Sequence, residues 1–391
     1  MAPAFLKSEY DDRLARVRTE MAARGLDALV IGDPDNINWL TGYDAWSFYT
    51  PQMMLVDLND GPFWMGRLMD AGAANFTTYL TASQIVPYPE ELVQRPDTHP
   101  MSHLAGWMAD HGFASARIGY ESDSYYFSPR ALDCLRSGLP VAEFVDADLL
   151  VNWQRLVKSE AEIEMMRGAA RIAEATMQCA FDGARPGVRQ CDLMAEVLAT
   201  QVRGTPQRGG DMAAIHPLIL AGEAAKTAHP MWTDAPLADG QTIAFELGGC
   251  MKRYNVGLAR TVHLGTTSDE LRRTAAAVEE GMAAVMDSLK PGAIAGDVHA
   301  AWQRVLDRYG LEKPSRIGYS IGVGYAPDWG ERTLSFRPRE ATPVPDNAVV
   351  HVILGMWMDD WGMELSETIH VRGDGCERMC DFPQHVHVVE T

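Results

Sequence analysis

Residues 245–261 read FELGGCMKRYNVGLART. The stretch has the apolar content of a buried strand and closes on Gly-Leu-Ala-Arg-Thr. One residue does not suit such surroundings. Glu246 carries a carboxylate, and a carboxylate taken out of water is costly unless something pairs with it. A charge at such a place is a candidate for chemistry rather than packing. Gly257, further along the same stretch, has no side chain with which to answer it.

Around this stretch the chain runs to 391 residues, too many for one ordinary core. Two domains are expected, over about 1–152 and 153–391. The first reads as an α/β unit. Residues 9–24 have helical spacing and Gly25 ends them; 27–33, 53–58 and 116–122 read as strands, and 128–138 as a helix. A connecting segment near 146–158 follows. Ser159 and Glu162 then form a capping-box pattern ahead of an amphipathic helix reaching 181. Further helices are expected at about 190–203, 268–289 and 297–309, and strands at 212–222, 347–358 and 363–373. Helices outside and strands gathered centrally make an α+β layer arrangement.

Composition narrows the function classes. Hydrophobic residues at 47% and charged residues at 22% are those of a folded chain. No apolar run approaches the roughly 18 residues of a membrane span. The N-terminus lacks a basic region followed by an apolar stretch, so no secretion signal is expected. The six cysteines form no zinc pattern with histidines, and reduced thiols in a cytoplasm are the plain expectation. A net charge of −19 repels phosphate backbones and anionic lipid, arguing against nucleic-acid and membrane partners. A neutral, cationic or zwitterionic small substrate suits it better.

Five segments occur in an order that carries a resemblance. They are TAHP at 227–230, FELGG through GLART, GYSIGVGYAPDWGE at 318–331, VHVILGM at 350–356 and GMELSETIHV at 362–371. Together they resemble the creatinase/aminopeptidase P/methionine aminopeptidase superfamily, whose fold is the pita-bread domain, over about 155–391. The N-terminal region resembles the smaller α/β domain of the creatinase and prolidase branch. Metal-dependent members hold two divalent ions with two Asp, one His and two Glu. In register, this chain has Glu246, Gly257, Tyr319, Ile353 and Ser366 at those places. A one-residue slip would bring in Glu367 for Ser366. Glycine and isoleucine cannot ligate through a side chain, so no metal and no other cofactor is expected.

Within the superfamily, His351, Ile353, Gly355 and Trp357 followed by Ser366-Glu367-Thr368 resemble the branch that opens the ring of ectoine. Ectoine is a cyclic amidinium bearing a carboxylate, and its central carbon is electron-poor without a Lewis acid. For that chemistry Glu246, at the heart of the former metal pocket, is the candidate nucleophile or general base, and His229 the candidate to move a proton to the leaving nitrogen. Glu367 is the candidate holder of the amidinium nitrogens, and Tyr319 and Tyr254 are candidate donors to the intermediate. Trp46, Tyr49, Tyr325, His351 and Trp357 are the remaining substrate-binding candidates, aromatic walls being suited to a cation. Phe48, Trp329 and Trp361 are further aromatic candidates, and Arg332 and Thr41 are guesses for the carboxylate. Each aromatic residue is also an ordinary core residue by default. Arg260 reads as a structural salt-bridge partner. The branch implies a homodimer, with a deacetylase as a pathway neighbour. Creatine-like substrates, dimethylsulfoniopropionate lysis, a conventional metallopeptidase and a non-enzymatic binding protein remain alternatives. Creatinase keeps a histidine where this chain has Tyr319, which disfavours creatine.

Overall fold

The computed structural model describes residues 3–390. The chain forms two compact units, one ending at Arg155 and the other beginning at Leu156. The N-terminal unit is built on a six-stranded sheet: β1 Ala28–Ile31, β2 Met53–Asp57, β3 Phe63–Arg67, β4 Ile85–Tyr88, β5 Arg117–Tyr120 and β6 Glu143–Asp146. Its order is β4-β3-β2-β1-β5-β6, with β1 parallel to β5 and antiparallel to β2. The helix Lys7–Ala23 ends at Gly25, whose φ of 65° is the left-handed turn that glycine takes without strain.

The second unit contains two sheets. One is β15-β9-β8-β7, made of β7 Leu218–Ala221, β8 Thr242–Met251, β9 Tyr254–Leu264 and β15 His387–Val389. The other is β11-β10-β12-β13-β14, made of β10 Gly318–Ile321, β11 Gly330–Ser335, β12 Val349–Trp357, β13 Gly362–Arg372 and β14 Gly375–Arg378. Hydrogen bonds to side chains tie the two sheets together. The Ala259 N–H donates to Ser366 Oγ at 2.6 Å, and the Glu364 N–H donates to Thr261 Oγ1 at 2.8 Å.

Helices cover the outer faces. The helix Glu160–Gly183 starts on a reciprocal cap, with the Glu162 N–H on Ser159 Oγ and the Ser159 N–H on the Glu162 carboxylate. Its small buried residues let it approach β8 closely: a side chain at Gly249 would meet the Ala169 carbonyl oxygen at 1.9 Å. The helices Asp269–Ser288 and Ala295–Tyr309 cover the other sheet. There β12 alternates as a strand must. Val350, Val352, Leu354 and Met356 enter the core beneath the helices, which leaves His351, Ile353, Gly355 and Trp357 on the opposite face.

The strand expected over 212–222 is confined to Leu218–Ala221. Pro217 has no N–H to give a ladder, and the Ala214 N–H is taken by Asn255 Oδ1 at 2.9 Å. Among the described residues no helix is long and apolar enough to cross a membrane.

The contact at Gly249 yields a stability prediction. Gly249→Ala puts a methyl group into the backbone of the helix Glu160–Gly183, so strand or helix must shift. A loss of roughly 1–3 kcal/mol is expected, typical of overpacking, read as a lower denaturant midpoint. An unchanged midpoint would show that the helix does not rest on this strand.

Candidate active site

Glu246 lies in the middle of β8 and is only 8% exposed. Its β9 partner is Ala259, and one step along the same face Gly248 pairs with Gly257. These two glycines leave space that two rings fill. A side chain at Gly248 would sit 2.6 Å from the ring of Trp329, and one at Gly257 would sit 2.6 Å from Cε1 of His351. The His351 ring meets Trp329 edge-to-face at 5.6 Å and Tyr319 at 5.8 Å. Tyr319 stands opposite His351 in the β10–β12 ladder, and its hydroxyl accepts the Trp329 indole N–H at 3.0 Å. The other edge of the His351 ring holds Ser366, with Nε2 2.8 Å from Oγ. Further along β12, Trp357 packs on Leu218, Leu220 and Ala244, beside Glu246.

The pocket is electrically lopsided. Burial, then the charge of Asp328, pushes the Glu246 carboxyl up to about 7. Burial, then the charge of Glu246, holds Glu364 well above the usual carboxylate range, while Lys313 opposes that rise. Burial and then Glu246 raise the Tyr319 phenol, so it keeps its proton. Burial pushes His351 down to about 3, so its ring is neutral. Among the described residues no donor reaches the Glu246 carboxylate. Acids crowded in an apolar cleft favour a cation that neutralises them.

The structure therefore brings Glu246, Tyr319, His351 and Trp357 together, and it removes three other candidates from the cluster. Glu367 is already charge-paired, through one carboxylate oxygen, while its buried Oε2 has no hydrogen-bond partner. The β12–β13 register pairs Ile353 with Ser366, so Ser366 shares the pocket face and Glu367 alternates away from it. There Glu367 is bound by Arg260 at 2.7 Å, Arg378 at 3.3 Å and Gln384 at 2.8 Å. Tyr254 donates its hydroxyl to Glu162 at 2.9 Å, at the start of the long helix. His229 stands exposed on a loop with φ 72°, and no hydrogen bond joins it to Glu246 among the described residues.

The other candidates stand elsewhere. Tyr325 is buried with the Arg253 guanidinium 4.7 Å over its ring. Trp46 and Tyr49 belong to the N-terminal unit, where both are exposed; Trp46 packs on Phe48, and Tyr49 accepts from Arg67. Sequence reasoning passed over Glu364, Asp328 and Lys313. Period-two alternation from Ser366 would have found Glu364; the other two lie on loops, where no periodicity points to them.

Comparison with known proteins supplies the lineage. Residues 164–373 match Metallopeptidase family M24, and residues 13–157 match the Creatinase/Prolidase N-terminal domain. An ectoine hydrolase of Halomonas elongata is 41% identical over 98% of both chains. An uncharacterized hydrolase/peptidase of Sinorhizobium fredii is 38% identical, also over 98% of both. The X-Pro aminopeptidase of Thermotoga maritima superposes with a TM-score of 0.81 over the full length of both chains, at 18% identity. The chain belongs to metallopeptidase family M24.

The family name implies metal, yet the side chains at the five ligand places do not fit it. Only Glu246 is a carboxylate, Gly257 and Ile353 offer no donor atom, and Ser366 is engaged with His351 and Ala259. The His351 ring fills the space in front of Gly257 where a second carboxylate would stand. Among the described residues no group of three or more His, Cys, Asp or Glu is placed to hold an ion. As an M24 member this chain keeps the fold and lacks the ligand set.

The placement of Glu367 is open to test. Glu367→Gln leaves Arg260, itself fully buried, without its charge partner. A stability loss of about 3–5 kcal/mol is expected, the scale of a broken buried pair. Turnover per folded molecule should stay within a few-fold. Normal stability with abolished turnover would instead return Glu367 to the chemistry.

Proposed function

We propose that this chain hydrolyses the amidine ring of ectoine to an N-acetylated diaminobutyrate, and that it does so without a metal ion. The hydrolase character and the substrate rest on the full-length similarity to the Halomonas elongata ectoine hydrolase. The observation that carries the chemistry is Glu246, a carboxylate buried in an acidic pocket and met by no donor.

An amidinium is the group such a pocket lacks. Its N–H groups would bond Glu246 or Glu364, and its charge would relieve their repulsion. Its carbon is already electron-deficient, so the ligand set missing from this M24 member is not required for attack. Glu246 then serves as nucleophile or as the base that orients water. Tyr319 accepts from Trp329 and keeps its own proton to donate toward the adduct. Trp329 and His351 wall the cleft, and Trp357 closes it along β12. The reading extends to a cytoplasmic homodimer in which the exposed Trp46 and Tyr49 also contact the substrate. The choice between ectoine and hydroxyectoine is a substrate comparison in the same assay.

Chelator-treated protein incubated with ectoine should produce the N-acetyl methyl signal by proton NMR. Activity that returned only with a divalent ion would defeat the metal-free reading, and intact ectoine under both conditions would defeat the substrate. Glu246→Gln should lower turnover about a thousandfold. Because Glu246 must be ionised, kcat/KM should rise with pH and level off above about 7. Stability should move the other way. A carboxyl raised on folding is ionised at a cost, so stability falls as pH climbs from the ordinary carboxylate range through about 7. Glu246→Gln should remove its share of that fall and leave the shares of Glu364 and Glu121, both also raised by burial.

A further inference from the structure

His351 holds a proton with nowhere to give it. The residue is fully buried, and its Nδ1 has no hydrogen-bond partner. Its Nε2 lies 2.8 Å from Ser366 Oγ, and that oxygen already accepts the Ala259 N–H at 2.6 Å. The hydroxyl proton of Ser366 is thus left with Nε2 as its acceptor. A proton on Nε2 instead would orphan the serine hydroxyl and also leave Nδ1 bare. With Ser366 donating, a single group is left over, the Nδ1–H. The ring is neutral, as described above, so it presents this hydrogen without a charge.

The geometry is rigid. The ring is set between Tyr319 and Trp329 and against Gly257, on paired strands rather than on a loop. Glu246, a residue only 8% exposed, shows the opposite deficiency: among the described residues no donor reaches its carboxylate. The Glu246–Ala259 rung and the Gly248–Gly257 rung are two residues apart on one face, about 7 Å along the strand. Two hydrogen bonds of about 2.8 Å through one water span most of that distance. A water donates and accepts at once, so a single molecule between them would satisfy both groups.

Resting on the amidine-hydrolase reading, we infer that His351 Nδ1–H and Glu246 together form the seat of the hydrolytic water. The water accepts from Nδ1–H and donates to Glu246. Its remaining lone pair is then free to face the amidine carbon. In the step it serves, the water oxygen bonds to that carbon and the C=N pair moves onto nitrogen. The C–N bond then breaks with its electron pair on the departing nitrogen. Both hydrogens of the water end on that nitrogen, one by way of Glu246 and one from the adduct hydroxyl as the carbonyl forms. The positive charge of the amidinium leaves as an ammonium group. Nδ1–H holds the same oxygen from water to carbonyl, so its bond strengthens as the oxygen gains charge. His351 is a catalytic donor, and Ser366 is the positioning residue that fixes which nitrogen donates.

The test pairs two substitutions with two measurements on the unaltered protein. His351→Phe keeps a ring and removes the donor; kcat should fall on the order of a hundredfold with KM nearly unchanged. His351→Asn places an amide N–H near the Nδ1 position and should recover most of that loss. Nitrogen NMR of labelled histidine should show the proton on Nδ1 and a bare Nε2, and Ser366→Ala should disturb that assignment. A high-resolution crystal structure should show a water bonded to both Nδ1 and Glu246. A proton on Nε2, no water at that place, or a Phe variant that turns over normally would each overturn the inference. So would a loss confined to KM, which would make His351 a ground-state contact only. The tautomer and the water need no folded variant to be read. Wild-type protein that leaves ectoine intact would instead strike the proposed function, with the tautomer and the water still decided separately.

Discussion

A buried carboxylate must be answered, and the second unit is arranged around two, Glu246 and Glu364, that no donor meets among the described residues. Glu121 in the N-terminal unit shows the ordinary solution. It accepts the N–H groups of Gly32 and Asp33 and the Asn36 amide, at 2.9, 2.8 and 2.6 Å. Glu367 shows a second solution, a guanidinium at 2.7 Å. Glu246 has neither, and the nearby acids Asp328 and Glu364 add repulsion rather than relief. A fold carries such a group only where other packing holds it in place. On the proposed function, the counter-charge that Glu246 lacks is what the substrate brings.

That support comes from both sides of one strand. Gly249 faces the long helix, whose backbone would lie 1.9 Å from a side chain there. Gly248 faces the cleft, where the Trp329 ring would lie 2.6 Å away. The strand is thus gripped through two adjacent glycines, and Glu246, two residues earlier, inherits its position. The loop that carries Trp329 is anchored in turn by a buried ion pair from Glu331 to Lys158, at 2.7 Å. A carboxylate that is to act on a small ring needs its neighbours fixed to within fractions of an ångström. Close backbone packing achieves this without adding a donor to the carboxylate itself.

Much of this was legible because it is local or periodic. The Ser159–Glu162 cap, the long helix behind it, the strand near 347–358 and the isolation of Glu246 all follow from short-range pattern, and each is present. Arg260 also stands as read, in a buried salt bridge. The misplacements share another cause. Glu367 and Ser366 are adjacent in sequence, and only the strand register decides which one faces the cleft. Tyr254 lies in the same stretch as Glu246, yet its hydroxyl reaches a helix start 92 residues earlier. His229 was placed by its motif, and its exposure is a property of a loop that no periodicity describes. Asp328 and Lys313 act on the acids through space, a relation that spacing along a chain does not encode.

The replacements at the old ligand places are not independent losses. Gly257 and His351 are reciprocal, because the ring stands where any side chain at 257 would have to stand. Ser366 is spoken for by that same ring and by the Ala259 N–H. Restoring a carboxylate at 257 alone would drive it into the imidazole, and restoring one at 366 alone would strip the imidazole of its partner. Each step back toward a metal centre thus damages the packing that now holds the cleft, while leaving most of the ligand set still missing. Scattered decay would leave no such interlock. Residues that depend on one another in this way support the proposed metal-free reading, in which the substrate brings its own positive charge.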